Sequence, residues 1–113
     1  MKRDTRLYLD DMIDAIDKIS THAKGITLDQ FSQDELLQSA VLRWITIIGE
    51  AAKHIPKSVR DKYPDIPWKQ IAGARDILVH EYFAVQLRRA WQILEDDLAG
   101  LKAKLEAMRN NLK

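Results

Sequence analysis

Three side chains that can act on a phosphodiester lie within eight residues of the chain: Arg75, His80 and Tyr82. An arginine guanidinium is permanently charged and presents a planar fork of donors that fits phosphate oxygens. Histidine is the side chain whose unperturbed pKa lets it take up and release protons near neutral pH. An arginine and a histidine at one site can therefore stabilise the charge and move the protons of phosphoryl transfer, and neither role needs a metal ion.

The spacing of the pair leaves its arrangement open. Arg75 and His80 are five residues apart, which is about 140° around an ideal helix, so they do not share one face. They can still meet if the helix ends near Val79 and the long arginine reaches back, or if two copies of the motif face each other across a dimer axis. Asp76 can orient either side chain, or it can simply form a cap or an ion pair. The structural alternative is that Arg75 pairs with a carboxylate and His80 caps the end of its helix.

A polar strip on an earlier predicted helix offers further candidates. Helical spacing puts four residues on this strip: Arg43, Thr46, Glu50 and His54. They can face one cleft, in which Glu50 would support Arg75, although a solvated helix face explains the strip equally well. His22 and His54 belong to no motif, and we predict that both lie at the surface.

Composition limits the classes of function. At 113 residues the chain is expected to form one domain, spanning residues 1–113. It has no cysteine, which excludes disulfides and thiolate metal sites, and no cofactor motif is seen. Lys plus Arg is 18 and Asp plus Glu is 17. We therefore do not expect the chain to bind nucleic acid through bulk positive charge, and a nucleic-acid-binding role needs a local positive site. No signal peptide or membrane span is predicted, and we expect a cytoplasmic protein.

Hydrophobic periodicity predicts an all-α, up-and-down bundle of four to five helices. The predicted segments are Asp4 to Ala23, Ser32 (as a cap) to Ile55, a short turn from Ser58 to Tyr63, Trp68 to Val79, and Ala84 to Met108. Gly73 is a candidate for a close contact between helices. The second long helix is apolar over a wide arc, which is typical of a central helix or of one that faces both a core and a partner.

The last predicted helix carries a leucine-rich seam. Its positions alternate spacings of four and three: Leu87, Trp91, Leu94, Leu98, Leu101, Leu105 and Met108. A seam of this kind packs a bundle helix on its own core, or runs past the end of the bundle into a partner chain.

The ordered set of motifs resembles the HEPN superfamily and, within it, the HepT-like branch. The second helix carries Ile48-Gly49-Glu50-Ala51-Ala52, and a proline-rich corner follows. A Pro-Trp pair at 67–68 then leads into WKQIAGARDILVHEY, residues 68–82, which contains Ala-Gly-x-Arg-Asp and Arg-x4-His-x-Tyr. The resemblance is strong from Leu36 to Tyr82, whereas the flanking helices match only in length and pattern.

The resemblance implies a mechanism. HEPN proteins are small helical bundles that commonly dimerise, and many are metal-independent ribonucleases whose Arg-x4-His motifs meet in a cleft at the dimer interface. Carried over to this chain, Arg75 would hold the scissile phosphate, and His80 would act as general acid or base. The 2′-OH of RNA would attack the adjacent phosphorus, which implies selectivity for RNA over DNA. The chain would form a homodimer or a higher even oligomer.

The resemblance also gives Tyr82 a role. HepT-like proteins are toxins paired with a small nucleotidyltransferase antitoxin, MntA, and the motif tyrosine accepts AMP groups from that partner. AMP on Tyr82 would block RNA by repulsion and by occupancy. From the sequence alone, Tyr82 is instead a partly buried aromatic beside Phe83. Two other readings of the whole chain remain: a non-catalytic helical module that binds a nucleotidyltransferase and a nucleotide or RNA, and a purely structural dimerising bundle.

Overall fold

The computed structural model describes residues 4–80 and 82–112, except for the side chains of residues 78–80 and 99. These residues form seven helices and no strand. The helices are α1 (Thr5–Ala23), α2 (Leu28–Gln33), α3 (Glu35–Lys53), α4 (Lys57–Arg60), α5 (Trp68–His80), α6 (Phe83–Asp96) and α7 (Leu98–Asn111). Because α2 and α4 are short connecting helices of 6 and 4 residues, the bundle proper consists of the other five. The predicted all-α, HEPN-like fold is confirmed.

Local signals explain where the first long helices begin and end. The Asp4 side chain caps α1 by accepting a hydrogen bond, 2.9 Å long, from the backbone N–H two residues later. After α1 the chain turns through Gly25, whose φ of 76° is a conformation that glycine adopts without strain. Asp34 caps α3 and accepts a hydrogen bond of 2.9 Å from the backbone N–H three residues later. The prediction of Ser32 as this cap is wrong, because Ser32 is already part of α2.

The packing order follows from residues that meet across helices. α1 runs antiparallel to α3, since Tyr8 lies beside His54 and His22 lies beside Trp44. It is also antiparallel to α7, to which it is tied by ion pairs such as Lys102 to Asp17 at 2.6 Å. α3 is central, because it packs on both α1 and α5. None of the helices in the described part of the chain is long and apolar enough to cross a membrane.

The predicted single last helix is broken at Asp97 into α6 and α7. Asp97 has a φ of −113°, which departs from helical geometry. In α7 the seam residues are buried as predicted: Leu98, Leu101, Leu105 and Met108. In α6 the fully buried residues are instead Ala90 and Ile93, while the predicted seam residues are only half-buried. Across the break, α6 therefore packs on the core with a different face from the one that a continuous helix with the predicted seam would use.

Candidate functional site

α3 and α5 come into close contact where Gly49 faces Arg75. A Cβ atom placed on Gly49 would lie 2.3 Å from Cβ of Arg75, 2.9 Å from its Cγ and 3.3 Å from the carbonyl oxygen of Ile71. Only a residue without a side chain therefore fits at this position. Gly73 does not have the predicted role, because no atom of the described residues lies within 4 Å of a Cβ placed there. The close contact fixes where the side chain of Arg75 starts.

The Arg75 guanidinium lies between two carboxylates. Its Nη2 forms an ion pair with Oε1 of Glu50, and its Nη1 lies 3.2 Å from Oδ1 of Asp76. The same Asp76 oxygen accepts a hydrogen bond of 2.8 Å from Nζ of Lys53. The hydrogen bond from Lys53, assisted by Arg75, lowers the pKa of the Asp76 carboxyl below its ordinary value of 3.8. The structure thus brings together three of the predicted site residues: Arg75, Asp76 and Glu50.

Arg75 is held firmly but is not fully enclosed. Its side chain is 24% exposed, and that of Glu50 is 42% exposed. The guanidinium has five N–H donors, and its Nε is buried with no hydrogen-bond partner among the residues that the structure describes. An unpaired buried donor has a cost in free energy. The packing against α3 and the two ion pairs must offset this cost to keep Arg75 in its position. The structural alternative for this residue was that Arg75 only pairs with a carboxylate, and that pairing is also present.

The second half of the motif lies at the end of α5 and the start of α6. His80 is the last residue of α5, but its side chain lies outside the described residues. Tyr82 precedes α6 as its N-cap, makes no capping hydrogen bond with its side chain, and is 86% exposed. The expectation of a partly buried Tyr82 is therefore wrong. Phe83 beside it is 53% exposed, so both aromatic rings lie at the surface next to the motif.

A groove between α1 and α3 adjoins Arg75, and we call it the α1–α3 groove. Its volume is about 230 Å³, and its principal lining residues are Tyr8, Asp11, Arg43, Ile47, Glu50 and His54. The predicted polar strip thus shares one cleft, except that the hydroxyl of Thr46 donates to the carbonyl oxygen of Leu42 at 2.8 Å.

Two residues of α1 were missed by the sequence analysis: Tyr8 and Asp11. The ring of Tyr8 stacks on that of His54 with a centroid distance of 4.9 Å and an interplanar angle of 6°. His54 and His22 are both exposed, as predicted. No local signal links Tyr8 to His54, because they are far apart in the chain and meet only when α1 docks on α3.

Candidate metal ligands were sought among the same side chains. The sequence contains no cysteine. Within the described residues, His, Asp and Glu side chains form no group of three that could hold a metal ion. The side chain of His80 lies outside the described residues.

The fold and this site define a class of small helical proteins, and comparison with known families identifies it. The family model described as "Ribonuclease HepT-like" matches residues 12–108, which include every candidate site residue except Tyr8 and Asp11. The chain belongs to this family.

Named relatives agree with the family assignment. The chain is 40% identical over 109 residues to "Probable ribonuclease HepT" of Thermococcus cleftensis, and the match covers 96% of this chain and 99% of that protein. It is 41% identical over 105 residues to "Gamma-glutamylcyclotransferase and putative RNase" of Methanocaldococcus jannaschii. That match covers 93% of this chain but only 47% of the relative, so the chain spans about half of its length. No solved structure gives a significant match.

Proposed function

We propose that the chain is a metal-independent ribonuclease of the HepT-like family, in which Arg75 and His80 from two protomers cleave RNA at a homodimer interface. The observation that carries the proposal is the geometry around Arg75. Its guanidinium is held by Glu50 and Asp76, and it lies on α5, the helix that ends at His80. A positioned arginine can stabilise the charge that develops during phosphoryl transfer, and it lies here on the same helix as the histidine of the motif.

In the proposed reaction one His80 takes the proton of the 2′-OH, and the 2′-oxygen attacks the adjacent phosphorus. The bond from phosphorus to the 5′-oxygen breaks, and a second His80 gives that oxygen its proton. The products are a 2′,3′-cyclic phosphate and a 5′-hydroxyl end. One histidine cannot be base and acid in the same step, so a dimer that supplies two is favoured. Positioned proton transfer is typically worth roughly 10²–10⁴-fold in rate.

Arg75 would bind the phosphate and stabilise the charge that builds up on its oxygens. Glu50 and Asp76 would act as positioning residues for the phosphate site, since both bind the guanidinium of Arg75. The exposed ring of Phe83, which follows the motif closely, favours contact with another chain and so supports a dimer or partner interface.

We further propose that the chain is the toxin of a pair whose antitoxin is an MntA-like nucleotidyltransferase, and that this partner inhibits it by adding AMP to Tyr82. The exposure of Tyr82 supports this role, because a modifying enzyme can reach the hydroxyl. The added phosphates would lie only two residues from His80 and would compete with RNA for the arginine.

One observation favours a second candidate, the non-catalytic module that binds a nucleotidyltransferase and a nucleotide or RNA. The two positive charges of Arg75 and Lys53 are balanced by Glu50 and Asp76, with which they already pair. A balanced cluster of this kind also suits a structural surface that another protein covers.

Cleavage of RNA in the presence of EDTA separates the two candidates. We expect the wild type to cleave, and we expect Arg75→Ala and His80→Ala each to lose roughly 10²-fold or more with unchanged helical circular dichroism. Arg6→Ala and His22→Ala are the matched controls and should keep full activity. Cleavage that EDTA abolishes would contradict the metal-independent mechanism. No cleavage by the wild type, once its mass shows that Tyr82 carries no AMP, would favour the binding module.

The regulatory proposal has its own test. When the chain is produced together with an MntA-like nucleotidyltransferase, we expect its mass to rise by one or more AMP groups and its cleavage to stop. Tyr82→Phe should keep its mass and its activity, whereas the half-buried tyrosine variant Tyr63→Phe should be modified like the wild type. Modification of Tyr82→Phe at the wild-type level would contradict the role of Tyr82.

A further inference from the structure

The α1–α3 groove is joined to Arg75 through a single side chain. Glu50 lines the groove, and the same carboxylate accepts the ion pair from Arg75. A carboxylate has about four lone-pair sites, so Glu50 can accept further hydrogen bonds from a ligand in the groove. A ligand in the groove would therefore be separated from Arg75 only by the side chain of Glu50.

The groove has an aromatic wall. Tyr8 and His54 stack in nearly parallel planes at a centroid distance of 4.9 Å, and His54 is exposed at the C-terminal end of α3. Proteins that bind single-stranded nucleic acid use such rings as platforms on which bases stack. A flat heterocycle that enters the groove meets this pair and can extend the stack.

The polar groups of the groove suit the edge of a base and not a phosphate. Arg43 supplies donors, while Asp11 and Glu50 supply acceptors. Two carboxylates repel a phosphate, but they accept hydrogen bonds from the amino and imino groups of a base. Guanine fits this mixture best, because its O6 and N7 are the usual partners of arginine and its N1–H and N2–H groups are donors.

We propose that the α1–α3 groove binds one unpaired nucleobase, guanine in preference to the other three, and that this base belongs to the nucleotide beside the scissile phosphate. The adjacency to a scissile phosphate rests on the proposed ribonuclease function, whereas the binding of the base does not. His54 and Arg43 then set the sequence preference of cleavage and take no part in the chemical step.

Binding of the four nucleoside 5′-monophosphates, followed by NMR on the full chain, tests the site without any cleavage. Guanosine monophosphate should bind most tightly, and its shifts should map to the backbone around Tyr8 and His54. His54→Ala should weaken this binding about tenfold, whereas His54→Phe keeps an aromatic ring and should retain most of it. His22→Ala is the matched control, because it removes an exposed imidazole stacked on Trp44 outside this groove. It should change the affinity less than twofold.

Cleavage of RNAs that differ only in the base beside the cut then tests the connection to Arg75. His54→Ala should raise KM for the preferred RNA about tenfold with little change in kcat. Guanine binding that depends on His54, in a wild type that does not cleave, would support the base site and refute the ribonuclease function. Cleavage without base preference, with His54→Ala equal to His22→Ala, would overturn the base site and leave the ribonuclease function intact. Monophosphate shifts that map elsewhere, or that are equal for all four bases, would also overturn it.

Discussion

Replacing Gly49 by alanine tests whether the close contact between α3 and α5 holds Arg75 in place. The new Cβ would lie 2.3 Å from Cβ and 2.9 Å from Cγ of Arg75. These atoms are the stem of the side chain and cannot swing away as its far end could, so α5 must shift. We therefore expect a loss of stability and a displaced guanidinium.

The magnitude follows from two opposing effects. Overpacking at a tight contact costs about 1–3 kcal/mol, while exchanging glycine for alanine inside a helix gains about 1 kcal/mol. Gly49→Ala should therefore lower the free energy of unfolding by up to about 2 kcal/mol. Gly73→Ala and Gly100→Ala are matched controls, because the described part of the chain places no atom within 4 Å of a Cβ at either helical position. They should gain about 0.5–1 kcal/mol.

Urea unfolding followed by circular dichroism measures the difference in stability between Gly49→Ala and the two controls. The helix-propensity gain is common to all three variants, so this difference reports the overpacking alone. Gly49→Ala should be less stable than Gly73→Ala by roughly 1–3 kcal/mol, which is about 4–12 °C in Tm for a chain of this size. Its RNA cleavage should fall by up to about 10²-fold, the cost of misplacing a catalytic group by about 1 Å. A Gly49→Ala protein as stable as the glycine controls would refute the close contact.

Four further outcomes are expected. Glu50→Gln keeps the shape of the side chain but loses the charge that holds Arg75, and cleavage should fall about tenfold while stability changes by less than about 1 kcal/mol. Lys53→Met should raise the pKa of Asp76 towards 3.8, as measured by NMR titration. Because the pKa of Asp76 is lowered in the folded protein, its ion pairs stabilise the fold above the ordinary pKa. That contribution is lost as the pH falls through the lowered value, so the stability advantage of the wild type over Lys53→Met should shrink in acid. Gln38→Ala removes a buried side chain whose Nε2 donates to a backbone carbonyl of α2 at 2.8 Å, and it should cost about 1–3 kcal/mol. Binding of single-stranded RNA should depend weakly on salt, with a slope of log K against log[salt] of roughly −1 to −2, and a much steeper slope would contradict a local site.

The sequence predicted the elements of this fold well but not their docking. Periodicity located α1, α3 and α5 to within a few residues, because this signal is local, but the cap of α3 was assigned to the wrong residue. The break at Asp97 carries no such signal, since the leucine spacing continues through it. Ala90 and Ile93 are the buried residues of α6, and a seam read from one helix does not show that the core-facing residues change there.

The same distinction applies to the site. Glu50 was foreseen because helical spacing puts it on one strip with Arg43 and His54, and the three share the α1–α3 groove. The contact of Gly49 with Arg75 and the stack of Tyr8 on His54 were not foreseen. Each joins two helices, so it depends on how those helices cross.

The charge balance around Arg75 determines where RNA affinity has to come from. Lys53 and Arg75 are matched by Glu50 and Asp76, and the whole chain carries a net charge of only +1. Bulk attraction to phosphates therefore contributes little. If Arg75 acts as proposed, it must find its phosphate through directed contacts elsewhere on the nucleotide, or through a second copy of the motif. The neighbouring groove, with its aromatic stack and its donors and acceptors, offers contacts of the first kind within reach of the same carboxylate that holds Arg75.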